Sequence, residues 1–212
     1  TLFPYTTLFR SPLMENELGK INEWMYTNKL SLNIDKTNFI IFKSPNKRCD
    51  INCNMKIVDK PITQVNETKF LGVTIDSHLS FKSHIKQVKS KVAKGIGIIC
   101  KARKNLPSSA LITLYYTFVY PYLTYGIEVW GSACDIYLFP LIKTQKRIVR
   151  LITNSPFKAH TYPLFKSLKM LTIDQIYMYA VGIFMYKLMN SALPSVFKSF
   201  VTRNTEVHNH WQ

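Results

Sequence analysis

The acidic residues are the groups in this sequence that could hold a catalytic metal ion. A two-metal phosphoryl-transfer site needs carboxylates close together, so that two Mg²⁺ ions can bind the attacking and leaving oxygens. The twelve Asp and Glu residues include no adjacent pair. Asp35, Asp50, Asp59 and Asp76 are scattered over predicted turns and strand ends, where Asp is common. The sequence therefore shows no complete active site, and we expect no metal to be bound by these residues.

The cysteines are the other candidate ligands, and they also give little chemistry. Four cysteines in 212 residues are too few for a disulfide scaffold. Cys49 and Cys53 are close in sequence, but no second Cys/His pair follows at the spacing that a zinc site needs. We expect reduced thiols in the nucleus or cytoplasm, because the sequence carries no recognisable secretion signal.

Basic residues dominate the second part of the chain. The sequence has 28 Lys and Arg against 12 Asp and Glu, a net charge of +16. Residues 77–212 carry a net +14 of this, and the stretch from His78 to Leu106 contains eight basic residues and no acid. Such a balance favours a polyanionic partner, with nucleic acid as the first candidate and an anionic membrane surface as the second.

The first part of the chain predicts a helix followed by short strands. Residues 13–30 have the helical period, with Leu18, Ile21 and Met25 on one face and Trp24 as a further candidate for it. Residues 38–43, 55–65 and 69–75 are rich in β-branched and aromatic side chains and predict strands, with a break at Pro61.

From Ser80 onwards the hydrophobic period becomes helical. A stripe with spacings of three and four predicts a helix packed on a core, and its members are Phe81, Ile85, Val88, Val92, Ile96 and Ile99. Lys82, Lys86 and Lys89 fall together on one flank of that stripe. Gly95 and Gly97 weaken the prediction of an unbroken helix.

Further helices are predicted to the end of the chain. One starts near Pro107 and kinks at Pro121; its uncharged stretch 110–127 contains proline, threonine and many tyrosines, so we predict a buried helix and no membrane span. The next is amphipathic over 137–153, and the last runs over 172–190. The inward residues of the amphipathic helix are Leu141, Ile142, Ile148, Val149 and Ile152, and the outward residues are Lys143, Lys146, Arg147 and Arg150.

The first eleven residues, TLFPYTTLFRS, match the translation of a common sequencing adapter at every position. We therefore expect residues 1–11 to be foreign to the natural protein, and the remaining chain to be a piece cut on its N-terminal side.

Three sequence blocks carry a resemblance to a known family. The blocks INEWMYTNKLSLNIDKTNFIIF (21–42), VNETKFLGVTIDSHLSFKSHI (65–85) and LITLYYTFVYPYLTYGIEVWG (111–131) resemble the C-terminal half of jockey-like, LINE-type non-LTR retrotransposon reverse transcriptases. They occur in the family's order and spacing, and the tail VTRNTEVHNH is similar to the family's usual ending. The resemblance implies an α+β fold: a palm remnant over 12–76, a helical thumb over 77–131 and a helical extension over 132–212.

The resemblance also implies roles for individual residues. Phe70, Leu71 and Gly72 would form the primer grip, a β-hairpin where glycine lets a nucleic-acid backbone come close. Lys36 in the NIDKT motif would lie near the incoming triphosphate. The lysines that would contact phosphates of the template–primer duplex are Lys82, Lys86, Lys89, Lys91 and Lys94.

Each of these roles has a structural alternative. Gly72 would otherwise be a bulge glycine in a core strand, Lys36 a solvated turn residue, and the lysine row a solvated helix face. The Tyr- and Trp-rich block through Trp130 is predicted to be core and not a base-stacking platform.

The function implied by the resemblance is RNA-directed DNA polymerisation, with Mg²⁺, dNTPs, an RNA template and a DNA primer. The family's Asp-Asp motif lies upstream of the first block, so we expect these 212 residues alone to bind no Mg²⁺ and to synthesise no DNA. Their expected partners include the fingers, the remaining palm and any endonuclease domain of the parent protein. The alternatives are a stand-alone basic helical protein that binds nucleic acid or an anionic membrane, and a transposon relic without function.

Overall fold

The computed structural model describes residues 11–46, 54–57 and 60–200. Helices dominate this part of the chain, and its short strands pair two at a time, which agrees with the predicted mixture of helix and strand. The chain divides into two compact units, an N-terminal unit Thr1–Ser83 and a C-terminal unit His84–Gln212. The predictions for residues 1–10, for Cys49, Asp50, Cys53 and Asp59, and for the polar tail lie outside the described residues.

Helix α1 (Ser11–Thr27) confirms the predicted N-terminal helix. Leu18 packs against the local core, which consists of the buried side chains of Met55, Ile57 and Ile62. Of the residues predicted on one apolar face, Ile21 is 53% exposed and Trp24 is 61% exposed, so this face is not buried along its whole length. A core of this size does not extend along a whole helix face, so one part of the apolar stripe remains in solvent.

The strands of the N-terminal unit are shorter than predicted. The parallel pair is β1 (Asn38–Phe39) with β4 (Thr63–Gln64), and the first antiparallel pair is β2 (Lys56–Ile57) with β3 (Lys60–Pro61). The second antiparallel pair is β5 (Glu67–Phe70) with β6 (Val73–Asp76). The prediction of a single strand over 69–75 is therefore wrong. The chain reverses at Leu71 and Gly72, whose φ angles of 44° and 85° are both in the left-handed region that a two-residue hairpin turn requires.

Helix α2 (Lys82–Ala102) confirms the predicted basic helix, and all six members of its apolar stripe are buried. Gly95 and Gly97 do not interrupt it. At Gly95 the helix lies against the backbone at Phe118 and the side chain of Val119; a Cβ atom there would be 2.6 Å from Val119 Cγ2. Gly97 has open space around it. The burial of the stripe thus outweighs the low helix propensity of the two glycines.

Three short helices follow where one kinked helix was predicted. They are α3 (Ser108–Phe118), α4 (Tyr120–Thr124) and α5 (Ile127–Trp130). The predicted disruption by Pro121 is confirmed, because proline has no N–H to donate to the carbonyl four residues earlier. Tyr115 and Trp130 are buried, as predicted for core residues. In the described part of the chain, no helix is long and apolar enough to cross a membrane.

The C-terminal part contains α6 (Asp135–Ile152), α7 (Thr161–Ser167) and α8 (Ile173–Met189), followed by a 3₁₀ helix at Ser195–Phe200. Helix α8 starts at a capping box in which Thr172 and Gln175 each bond the other's backbone N–H, so its predicted position is confirmed. The predicted inward residues of α6 are buried or half-buried. Helix α6 contacts α3 and α7, and α8 contacts α4 and α5.

Candidate nucleic-acid interface

One strip of lysines runs along the flank of α2. Lys82, Lys86 and Lys89 are exposed and are spaced by four and three residues, so they lie above one another beside the buried stripe. Neighbours at this spacing have Cβ atoms about 5–6 Å apart. The strip can therefore present its ammonium groups to successive phosphates of one strand.

Lys91 and Lys94 lie elsewhere on the same helix. At about 100° per residue, Lys91 is roughly half a turn around the axis from the strip, and Lys94 lies between the two directions. The Lys91 Nζ atom is 5.3 Å from the centre of the Tyr122 ring, within the range of a cation–π contact. The five lysines predicted as one phosphate-binding set are thus divided between two sides of α2.

A second row of cations lies on α6, and a cleft separates it from the α2 strip. The cleft is lined on the α2 side by Lys89, Ala93 and Ile96. Its α6 side carries four cations: Lys143, Lys146, Arg147 and Arg150. None of the described lining residues is acidic, and no carboxylate in the described residues forms an ion pair with these five cations. The cleft is therefore a concentrated positive surface without internal neutralisation.

Two aromatic rings stand beside the α6 cations. The Nζ atom of Lys143 is 4.5 Å from the centre of the Phe139 ring, and the Arg150 guanidinium carbon is 5.9 Å from the centre of the Phe157 ring. Arg150 also donates from Nε to the carbonyl of Ala159 at 3.0 Å. These contacts hold the cations in place while leaving their charge unneutralised.

Gln145 anchors the inner face of α6. Its Nε2 atom donates to Tyr115 Oη at 3.0 Å and to the Leu171 carbonyl at 2.9 Å, and its Oε1 atom accepts from the Ile173 N–H at 3.1 Å. Burial raises the pKa of Tyr115 well above its ordinary value, although the hydrogen bond from Gln145 acts in the opposite direction. The neutral phenol and the amide together fix α6 against α3 and the start of α8.

Sequence analysis missed both Gln145 and the cleft. A glutamine between Leu141 and Ile148 occupies an inward position of the α6 stripe, and that signal could have identified a buried polar contact. The outward direction of the α6 cations was predicted, but periodicity within one helix does not show which other helix lies beside it.

The predicted primer grip is an exposed hairpin tip. Phe70 and Leu71 are 62% and 75% exposed, and Gly72 is the second residue of the turn. The positive φ at Gly72 favours glycine for the turn itself, independently of any ligand. Leu71 is also in the left-handed region, which costs a non-glycine residue about 1–2 kcal/mol. The tip therefore presents two large apolar side chains to solvent at some cost in backbone energy.

Asp76 fixes the connection from the hairpin to α2. Its carboxylate accepts hydrogen bonds from the N–H groups of His78, Ser80 and Phe81, at 3.1, 3.1 and 2.7 Å, and from the Ser80 hydroxyl. Partial burial by itself raises the pKa of Asp76, but these hydrogen bonds outweigh it, so the pKa lies below its ordinary value. The ionised carboxylate thus serves a structural role as an acceptor of backbone N–H groups.

Lys36 is an exposed residue at the end of a 3₁₀ helix, Ile34–Lys36. Its N–H donates to the Asn33 side chain at 3.2 Å, and the Thr37 hydroxyl donates to the Asn33 carbonyl at 2.8 Å. The structure thus describes a well-formed, solvated turn, and the role of Lys36 near a triphosphate stays a prediction.

The described residues do not supply a metal site. No group of three or more His, Cys, Asp or Glu side chains in them could hold a metal ion. Cys100 is half-buried and Cys134 is exposed, both as free thiols. We therefore derive no metal-dependent step from these residues.

A cationic cleft without acids among the described residues is typical of surfaces that polyanions bind. Sequence comparison then gives the class of enzyme to which the chain is related. It is 28% identical over 162 residues to the probable RNA-directed DNA polymerase from transposon X-element of Drosophila melanogaster. It is 24% and 25% identical over 160 residues to the RNA-directed DNA polymerases from mobile element jockey of Drosophila melanogaster and Drosophila funebris.

Each of these matches covers 74% of this chain and 17% of the relative, so the chain spans about a sixth of the length of the curated relatives it matches. The predicted resemblance to non-LTR retrotransposon reverse transcriptases is confirmed, since the chain is similar to one segment of these polymerases. No protein-family model matches the chain, and no solved structure matches it.

Proposed function

We propose that this chain is the segment of a non-LTR RNA-directed DNA polymerase that holds the template–primer duplex. The similarity to such polymerases supports the class of enzyme. The observation that carries the holding role is the exposed α2 strip of Lys82, Lys86 and Lys89. This strip borders the acid-free cleft between α2 and α6, in which five cations lie without a carboxylate partner among the described residues.

The chemistry of the cleft suits a polymerase. Lys and Arg contacts to phosphate oxygens are the same for every base sequence, so they position a duplex without selecting it. A polymerase must bind its template equally well at every base sequence that it copies. Exposed lysines also release bound counterions from the nucleic acid, which makes the affinity depend steeply on salt concentration.

We infer a division of labour between the two units. The N-terminal unit corresponds to the end of the palm, with Phe70, Leu71 and Gly72 steadying the primer end and Lys36 near the incoming triphosphate. The C-terminal unit corresponds to the thumb and a helical extension. Mg²⁺ and the reacting groups belong to other parts of the parent polymerase, together with its fingers and remaining palm, and the complex acts in the nucleus or cytoplasm.

Fluorescence anisotropy of the full chain with a labelled 16-base-pair RNA–DNA hybrid tests the proposal. The logarithm of the binding constant should fall linearly with the logarithm of salt concentration. Replacing Lys82, Lys86 and Lys89 with alanine should reduce the slope by about one unit per lost phosphate contact. A control variant replaces three exposed lysines that lie outside both the α2 strip and the cleft, so that the same charge is removed. These are Lys56, Lys166 and Lys187. This control should keep most of the slope.

Equal slopes for the two variants would refute the assignment of the α2 strip to phosphate contacts. In a second experiment the chain is titrated with vesicles that contain 30% phosphatidylserine. Binding to vesicles without binding to the hybrid would overturn the polymerase role in favour of an anionic-membrane protein.

The hairpin has its own test. A Phe70→Ser variant should bind a hybrid with a recessed primer 3′ end more weakly than the unchanged chain, while its affinity for a blunt hybrid should stay the same. A matched change at another exposed ring of the N-terminal unit, Tyr26→Ser, should affect neither substrate. Equal losses for both substrates with Phe70→Ser would argue against a contact at the primer end.

A further inference from the structure

Phe139 and Phe157 line the same cleft as the cations, and both are exposed. The Phe139 ring is 52% exposed and the Phe157 ring is 82% exposed. A single exposed apolar side chain is ordinary on a soluble protein. Two exposed rings in one cleft, each beside a cation and none beside a carboxylate in the described residues, form the pattern of a surface that binds unpaired bases and their phosphates together.

We propose that the α2–α6 cleft binds a single-stranded segment of nucleic acid, with bases stacked on Phe139 and Phe157 and phosphates on Lys143, Arg147 and Arg150. This rests on the proposed function and deepens it, because it assigns the cleft to unpaired template next to the duplex that the α2 strip holds. A duplex buries the faces of its bases inside its own stack. The two rings can therefore stack only on bases that are not paired.

The spacing along α6 fits this ligand. Phe139, Lys143, Arg147 and Arg150 follow one another at intervals of four, four and three residues, so they lie along one side of the helix. At about 1.5 Å per residue the row is roughly 16 Å long. That length matches about five nucleotides at the rise of about 3.4 Å per nucleotide of a stacked strand. The row thus has the Phe139 ring at one end, and the Phe157 ring of the following loop lies beside Arg150 at the other end.

Hydrogen bonds in the loop after α6 fix the backbone that carries Phe157. The Ser155 N–H donates to the Arg150 carbonyl at 2.9 Å, and the Ala159 N–H donates to the Pro156 carbonyl at 3.0 Å. The Arg150 side chain closes the loop through its bond to Ala159. A loop backbone that is fixed before the ligand arrives loses little conformational entropy on binding, which favours stacking.

The test compares ligands that differ in bases but not in phosphates. The full chain is titrated with labelled eight-nucleotide oligo(dT), oligo(U) and an abasic strand with the same number of phosphates. The unchanged chain should bind oligo(dT) and oligo(U) alike, and at least fivefold more tightly than the abasic strand, since stacking contributes about 1–3 kcal/mol per base. Phe139→Ala and Phe157→Ala should each lower the affinity for both oligonucleotides at least fivefold and leave the abasic affinity unchanged.

Two controls separate stacking from structure. Tyr162→Ala removes another exposed ring that does not line the cleft, and it should change none of the affinities. Phe157→Trp should keep the affinity and add an indole whose fluorescence is quenched by oligo(dT) but not by the abasic strand. Circular dichroism spectra identical to that of the unchanged chain confirm that the alanine variants fold.

The outcomes of the two experiments are distinguishable. Equal affinity for abasic and base-bearing strands, or no quenching at Phe157→Trp, overturns the stacking proposal even if the hybrid still binds with its salt slope. A preference of oligo(U) over oligo(dT) that survives Phe139→Ala and Phe157→Ala also overturns it, because base stacking would then not carry recognition. Failure to bind the hybrid contradicts the proposed function itself.

Discussion

The two units of this chain differ in how they are stabilised and in what they can bind. The N-terminal unit Thr1–Ser83 has a net charge of +3, strands of two to four residues, and a local core of Met55, Ile57 and Ile62. The C-terminal unit His84–Gln212 has a net charge of +13 and a core that includes whole helix faces of α2 and α6. The positive surface thus lies on the unit whose buried apolar area is large enough to tolerate the mutual repulsion of its cations.

The largest expected effect is at the centre of the C-terminal unit. Gln145→Ala removes three hydrogen bonds and leaves Tyr115 and the backbone groups of Leu171 and Ile173 without their partner in a buried site. We expect the free energy of unfolding to fall by about 3 kcal/mol or more. Urea denaturation followed by circular dichroism measures this loss. The matched control Gln87→Ala, at an exposed site on α2, should stay within about 0.5 kcal/mol of the unchanged chain.

Two glycines on one helix should respond with opposite signs. Gly95→Ala places a Cβ atom 2.6 Å from Val119 Cγ2 and 3.1 Å from the Phe118 carbonyl oxygen, so α2 must shift and stability should fall by about 1–3 kcal/mol. Gly97→Ala meets open space and should raise stability by about 0.5–1 kcal/mol through helix propensity. The midpoints of urea denaturation measure the stability change of each variant. A gain of stability in both variants would contradict the close packing at Gly95.

The smallest effect concerns the N-terminal unit and depends on pH. Because the pKa of Asp76 is lower in the folded chain than in the unfolded one, its ionised form favours folding. This contribution is complete above the unfolded pKa of about 3.9 and is lost as the pH falls through the lower folded pKa. Asp76→Asn should reduce stability at neutral pH by about 1 kcal/mol, because both carboxylate oxygens accept hydrogen bonds and an amide has only one acceptor oxygen. It should also flatten the decline below about pH 4.

Urea midpoints of the unchanged chain and of Asp76→Asn between pH 6 and pH 3 provide this measurement. Hydrogen exchange over residues 67–83 locates the change, since the network involves only groups from His78 to Phe81. Parallel pH curves for the two proteins would show that the Asp76 carboxylate makes no net contribution to folding.

The elements that were predictable are those in which local pattern and burial agree. The α2 stripe from Phe81 to Ile99 repeats over five turns, and such a period has one structural solution, a helix with that side buried. Pro121 interrupted its helix because the missing N–H is a property of the residue itself. The prediction of one strand at 69–75 was wrong because the sequence pattern of a strand continues through Leu71 and Gly72. The turn at these residues depends on positive φ angles, which the periodicity of side chains does not report.

By itself, the sequence of this chain determined the basic character of its second part, the order of its helices and its relation to transposon polymerases, because charge, period and motif order are all local properties of the chain. Tertiary structure decided which cations share a surface. Lys91 is two residues from Lys89 but lies on the other side of α2, whereas Arg147 is 58 positions away in the sequence and lines the same cleft. The physical reason is that a helix turns neighbouring residues apart, whereas the fold places α2 and α6 on two sides of one cleft and so brings distant residues together.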